Sequence, residues 1–112
     1  SPSLRLYLFF LGQIFIFKLE DEPGAIKNIM DRIRQRNGRL RSIMTSYDEI
    51  EEGFRKVFFH TFDIEAPQFD LLVKSFCETG GLFYAADPSR GFRMIYNQYG
   101  LYTYDKMQEM KT

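Results

Sequence analysis

The sequence predicts an α+β protein: a βαββαβ two-layer sandwich with a four-stranded antiparallel sheet, two helices on one face, and extensions at both ends. Three observations predict it. Between residues 14 and 87, apolar runs of strand length alternate with runs of helical period, in the order strand, helix, strand, strand, helix, strand. Two of the strand runs, 14–19 and 54–62, are much more apolar than the other two, as strands at the centre of a sheet must be. Turn-forming pairs, Pro23-Gly24, Asn37-Gly38 and Gly80-Gly81, stand at the seams. This order of elements is that of the ferredoxin-like fold.

Each element follows in turn. Residues 1–13 are a short apolar lead that ends at Gly12-Gln13. Residues 14–19 are nearly all apolar, which suits a strand covered on both faces. Pro23 fits the first turn of a helix, where its missing N–H costs nothing. Ile26, Ile29, Met30 and Ile33 then make one apolar stripe, with Lys27, Asp31, Arg34 and Gln35 on the solvent side. Asn37-Gly38 closes the helix, with Gly38 as the left-handed residue. Residues 39–47 read as an edge strand, 48–53 as an acidic turn, and 54–62 as the second strongly apolar strand. Pro67 lies near the start of a second helix with the stripe Phe69, Leu72, Val73 and Phe76. Gly80-Gly81 ends it, 82–86 form a short last strand, and Asp87-Pro88 stops that strand. Residues 88–112 are a Tyr-rich tail, read as a C-terminal extension or as an arm clasping a neighbouring subunit; Gly100 argues against one long helix.

Composition narrows the function. With 112 residues the chain is one domain with a modest core. Lys+Arg and Asp+Glu are balanced at 15 each, so nothing demands nucleic acid, which needs a basic excess on one face. The run 6–17 is too short for a membrane span, is broken by Gly12-Gln13, and is followed by no cleavage signature. Cys77 is the only cysteine, so no intrachain disulfide forms. A cytoplasmic protein is expected. The chain begins at Ser1 without Met, consistent with a piece of a longer protein. Twelve Phe and seven Tyr are more rings than one small sandwich covers. In the two central strands Ile14 and Ile16 oppose Phe15, Phe17 and Leu19, and Phe58 and Phe62 oppose Val57 and Phe59. Helices cover only one of these faces. The other is expected to meet a second sheet, a second subunit or the N-terminal lead.

The first strand-to-helix corner, residues 20–26, holds the functional signal. A Pro-Gly pair here places backbone N–H groups at a helix start, where a ligand carboxylate can bind. The alternatives are that Gly24 only lets helix and strand pack closely, or that the corner is a pure dimer contact. The run from Phe15 to Ile26 resembles the opening of an ACT domain. Residues 37–43 resemble that family's helix exit and second strand. Residues 53–57 and 93–96 resemble the third strand and short tail of the subgroup that follows a pair of CBS modules in bacterial regulatory proteins of the acetoin-utilisation type. The resemblance covers about residues 14–96. It implies a non-catalytic regulatory domain, often dimeric, that senses an amino acid or similar small molecule. It places the ligand between the corner of one subunit, Asp21, Glu22, Gly24, Ala25 and Ile26, and the second-strand start of another, Arg39, Leu40 and Ser42. Arg39 stands where many such domains have Asn, so a two-point contact to a carboxylate or phosphate would replace an amide contact. No CBS module lies within these residues.

Three function classes therefore remain: a small-molecule sensor, a pure dimerisation module and a small enzyme. Against the enzyme, no base pairs with a nucleophile and no metal ligands cluster. His60, the only histidine, shares a strand face with Phe58 and Phe62 and reads as a packed or interface residue. Cys77 reads as a core thiol. Asp48, Glu49, Glu51 and Glu52 solvate a turn and lack the spacing of a calcium loop. Arg32, Arg34, Arg36, Arg39 and Arg41 read as a solvated basic face near a helix end, with an anion-binding role as the alternative. No cofactor is implied.

Overall fold

Two strands whose apolar side chains recur at every second position make the middle of the sheet. They are β1 (Gln13–Glu20) and β3 (Phe54–Phe62), antiparallel, with Phe15 opposite Phe59 and Phe17 opposite Val57. The structure, a computed structural model, describes residues 12–88 and the backbone of residues 94–97 and 100–103. β2 (Arg39–Thr45) pairs with the outer side of β3, and β4 (Leu82–Ala86) with the outer side of β1. Four antiparallel strands in the order β2-β3-β1-β4 thus build the expected sheet. Helices α1 (Pro23–Gln35) and α2 (Ala66–Thr79) lie on one face of it, the ferredoxin-like arrangement.

The sheet continues further than the sequence suggested. β5 (Met94–Asn97) pairs with β4, and β6 (Gly100–Thr103) pairs with β5, giving six strands. This stretch of the tail extends its own sheet by using the otherwise open edge of β4. Strands of four residues are too short to announce themselves by alternation. The side chains of the tail, and the clasping arm expected there, lie outside the described residues, as does the lead 1–11.

The core is largely a stack of rings. Phe15, Phe17, Phe59, Phe69 and Phe76 are fully buried. Phe76 meets Phe15 and Phe17 edge-on at 5.6 and 4.9 Å between centroids, and Phe17 meets Phe59 edge-on at 5.5 Å. Such pairs add about 0.5–1.5 kcal/mol each beyond the area they bury. Ile29 and Ile33 bring α1 into this core; Phe69, Leu72, Val73 and Phe76 bring α2.

The end of α1 corrects one expectation. The left-handed residue is Asn37, at φ 63°, not Gly38. The amide of Asn37 donates to the Arg34 carbonyl and that of Gly38 to the Ile33 carbonyl, a Schellman closure with Asn37 in the left-handed place. Gly38 serves packing instead. A Cβ there would lie 2.7 Å from Ile33 Cγ2 and 2.8 Å from Ile64 Cγ1.

Gln13 belongs to β1 rather than to a lead before it, and its side chain is buried. Its Nε2 donates to the Ile64 carbonyl at 2.9 Å and lies 3.5 Å from Asp87 Oδ1, and Thr61 Oγ1 donates to its Oε1 at 3.3 Å. Burying these groups is tolerable because they satisfy one another. Gln13→Leu should therefore cost about 2 kcal/mol in urea unfolding, since the Ile64 carbonyl and Thr61 hydroxyl lose this partner in the interior. An unchanged unfolding midpoint would show that water replaces the amide.

The face away from the helices carries Ile14, Ile16, Phe58, Phe62 and Tyr84. Among the described residues no second layer covers it. Its rings are partly dressed by the chain's own cations. Lys18 sits 4.8 Å from the Phe54 centroid, Lys56 5.7 Å from Phe58, and Arg41 5.1 Å from Phe62. The phenol of Tyr84 is pushed above its ordinary pKa by desolvation. Among the described residues no helix is long and apolar enough to cross a membrane.

Candidate ligand-binding site

The corner from Glu20 to Ile26 links the central strand β1 to α1. The Asp21 amide donates to the Gly53 carbonyl at 2.9 Å, which ties the corner to the turn before β3. Pro23 occupies the first turn of α1, and Glu22 caps the helix with extended backbone and no side-chain hydrogen bond. The Ala25 amide donates to the Glu22 carbonyl at 3.2 Å. Of the two amides expected to meet a carboxylate, the Gly24 amide alone has no partner among the described residues. Glu20 to Gly24 are all exposed.

Gly24 is not there for close packing. A Cβ built on it meets nothing within 4 Å. The position borders open space on the edge of a cleft of about 870 Å3, which lies between the start of α1 and the end of α2. Gly24, Ala25, Asn28 and Arg32 line it from α1, and Gly80 and Gly81 from beyond α2. A second cleft of about 560 Å3 lies on the other side of the corner, between α1 and β3. Asp21, Ile26, Met30 and Arg55 line that one. Glu20 and Glu22 border both. Both volumes fall within the range of small-molecule sites.

The structure brings Asp21, Glu22, Gly24, Ala25 and Ile26 together at the corner but divides them between the two clefts. Arg39, Leu40 and Ser42 are elsewhere. Glu20 stands opposite Phe54 and Arg39 opposite Phe62, so the two groups lie at opposite ends of β3, about 27 Å apart at ~3.4 Å per residue. The βαβ connection dictates this: α1 carries the chain back, so β2 begins beside the start of β1. Within one chain these residues cannot share a ligand. Arg39 is itself 3.4 Å from the Asp63 carboxylate and lies over the Phe62 ring.

Two charged residues lining these clefts, Arg55 and Arg32, are not among the residues that the resemblance implicates. Arg55 Nε is 3.0 Å from Asp21 Oδ2, and its Nη1 donates to the carbonyls of Ser46 and Tyr47. Its signal was a charge on the same face of β3 as Val57 and Phe59. Arg32 crosses to α2, where it donates to the hydroxyls of Ser75 and Thr79 and stacks 4.5 Å from the Phe76 centroid. In sequence it belongs to the basic face near the end of α1.

The remaining candidates lie apart from both clefts or are engaged. His60 is half-buried on the sheet face away from the helices, opposite Ser42. Cys77 Sγ donates to the Val73 carbonyl at 2.8 Å. Glu51 is ion-paired with Lys18 and Glu49 accepts from the Gly53 amide. Among the described residues no group of three His, Cys, Asp or Glu side chains is placed to hold a metal ion. No family model matches the chain, and no curated protein matches it.

Proposed function

We propose that the chain is a regulatory ACT domain without catalytic activity, of the kind that accompanies CBS modules in a longer cytoplasmic protein. On this reading it binds an amino acid or related carboxylate at the interface of a homodimer. The observation that carries the reading is the Gly24 amide, which has no partner among the described residues, stands at the head of a helix, borders a cleft and is flanked by acidic side chains. The ligand carboxylate accepts from this amide and gains from the dipole of α1. Its ammonium group meets Glu22 on the same side. Arg39, Leu40 and Ser42 join from the second subunit, which their distance within one chain requires. Binding then favours one dimer arrangement by its differential affinity.

Gly24 offers a clean test because a Cβ there meets nothing within 4 Å. Gly24→Ala should raise stability by about 0.5 kcal/mol, through a less flexible unfolded state. Gly24→Leu should keep a native far-UV spectrum and lose the melting-point rise that grows with amino-acid concentration in the parent. Unchanged ligand affinity in Gly24→Leu would refute the site. The pairing of Arg39 with Asp63 favours a second reading, a domain that only dimerises. That reading expects no melting-point rise in the parent with any amino acid or nucleotide.

A further inference from the structure

Four described cations have carboxylate partners: Lys18 with Glu51, Lys27 with Asp31, Arg39 with Asp63 and Arg55 with Asp21. Arg32 does not. Its guanidinium is half-buried and fixed on α2, yet its hydrogen-bond partners, Ser75 and Thr79, are neutral hydroxyls. Among the described residues no carboxylate lies within ion-pair distance of it. Hydroxyls orient a guanidinium without balancing its charge, and a partly desolvated cation gains most from an anion that reaches its remaining donors. Arg32 lines the same cleft as Gly24.

Spacing places a third donor between them. Gly24, Asn28 and Arg32 follow at four-residue intervals, so they share one face of α1, with a rise of about 6 Å per step. All three line the larger cleft. The stripe offers a bare amide, a carboxamide and a fixed guanidinium in succession. A single carboxylate on Gly24 leaves the latter two unused. A second acid group one helical turn further on meets both, since a long side chain on a helix leans toward the N-terminus and Arg32 therefore leans back toward Asn28.

We propose that the larger cleft selects an α-amino acid carrying a second acid group, a carboxylate or a phosphate, which Asn28 and Arg32 recognise. This rests on the reading of the Gly24 corner as a ligand site and names the ligand class. The α-carboxylate takes the Gly24 amide, the ammonium group faces Glu22, and the side-chain acid reaches Asn28 and Arg32. Arg32 is held before the ligand arrives, so little side-chain entropy is lost on binding.

The test is calorimetric titration of the full chain with matched pairs: L-glutamate against L-glutamine, L-aspartate against L-asparagine, and O-phospho-L-serine against L-serine. Each acid should bind about tenfold more tightly than its neutral partner, the worth of one charge-assisted hydrogen bond. Whether a carboxylate or the phosphate ranks first identifies the acid. Arg32→Gln should level each pair, weakening the acids more than their neutral partners. Because Arg32 also ties α1 to α2, Asn28→Ala supplies a variant at an exposed position, expected to weaken the acids several-fold with a native spectrum. Equal affinity within every pair would overturn the second-acid proposal and leave the corner site standing. No binding by any member would overturn both.

Discussion

Phe17→Ala is expected to remove about 3–5 kcal/mol of folding stability, the cost of deleting a fully enclosed ring whose site cannot collapse. Phe17 has no exposed surface and stands between two hydrogen-bonded neighbours, opposite Val57 on β3 and Leu82 on β4. Its ring is met edge-on by Phe59 and Phe76. The strands on either side are fixed by their ladders, so neither can move in to fill the space. The loss is a large share of the ~5–15 kcal/mol that holds a domain folded. It should lower the melting point by roughly 15 °C in a chain of this size. Phe83, on β4 and more than a third exposed, is the comparison: its alanine variant should cost far less. Similar losses at both positions in urea unfolding would show that the core is not centred on β1.

The second large effect concerns Gly81. Both residues after α2 have positive φ, 80° at Gly80 and 88° at Gly81. They differ in what surrounds them. A Cβ on Gly80 meets nothing, whereas one on Gly81 would stand 2.8 Å from the Lys18 carbonyl oxygen. That approach has a purpose, because the Lys18 amide donates to the Gly81 carbonyl at 2.7 Å where β4 begins to pair with β1. Gly80→Ala should therefore cost only backbone strain, about 1–2 kcal/mol. Gly81→Ala adds a backbone collision and should cost about 2–5 kcal/mol. Chemical unfolding of the two variants side by side isolates the close approach. Equal costs would mean that β1 yields to the added methyl group.

The fold was legible where period and punctuation agree. The strand at residues 54–62 and the last strand of the predicted sandwich at 82–86 fall at the predicted positions, because strongly apolar runs there are bounded by Gly or Asp. Asn37 was misassigned for a definite reason. In an Asn-Gly pair, glycine is the default left-handed residue, and only the proximity of Ile33 and Ile64 in the fold shows that Gly38 is needed for its size. Gln13 looked like a break in an apolar run. Its partners, Ile64 and Asp87, are distant in sequence, so its burial could not be read locally.

The candidate site divides the same way. The corner and its acidic residues are contiguous, and a Pro-Gly pair advertises them. The clefts are not contiguous. Arg32 reaches Ser75 and Thr79 across the helix layer, and Arg55 reaches Asp21 across two strands. A charge whose partner lies on another element looks, in sequence, like a charge facing water. Gly24 shows the converse: its packing role was a fair expectation until the space around it proved open.

The position of β1 has a consequence for how the protein is made. It is the first of the described strands to leave the ribosome, yet its two neighbours come late, with Phe15 awaiting Phe59 on one side and Ala85 on the other. Until residue 62 has emerged this strand has neither border closed, and its second border stays open until β4 follows. Long-range closures of this kind fold slowly and leave a nascent chain exposed to association in the meantime. The strand that anchors the mature molecule is therefore the part most in need of shelter while the molecule is still being built.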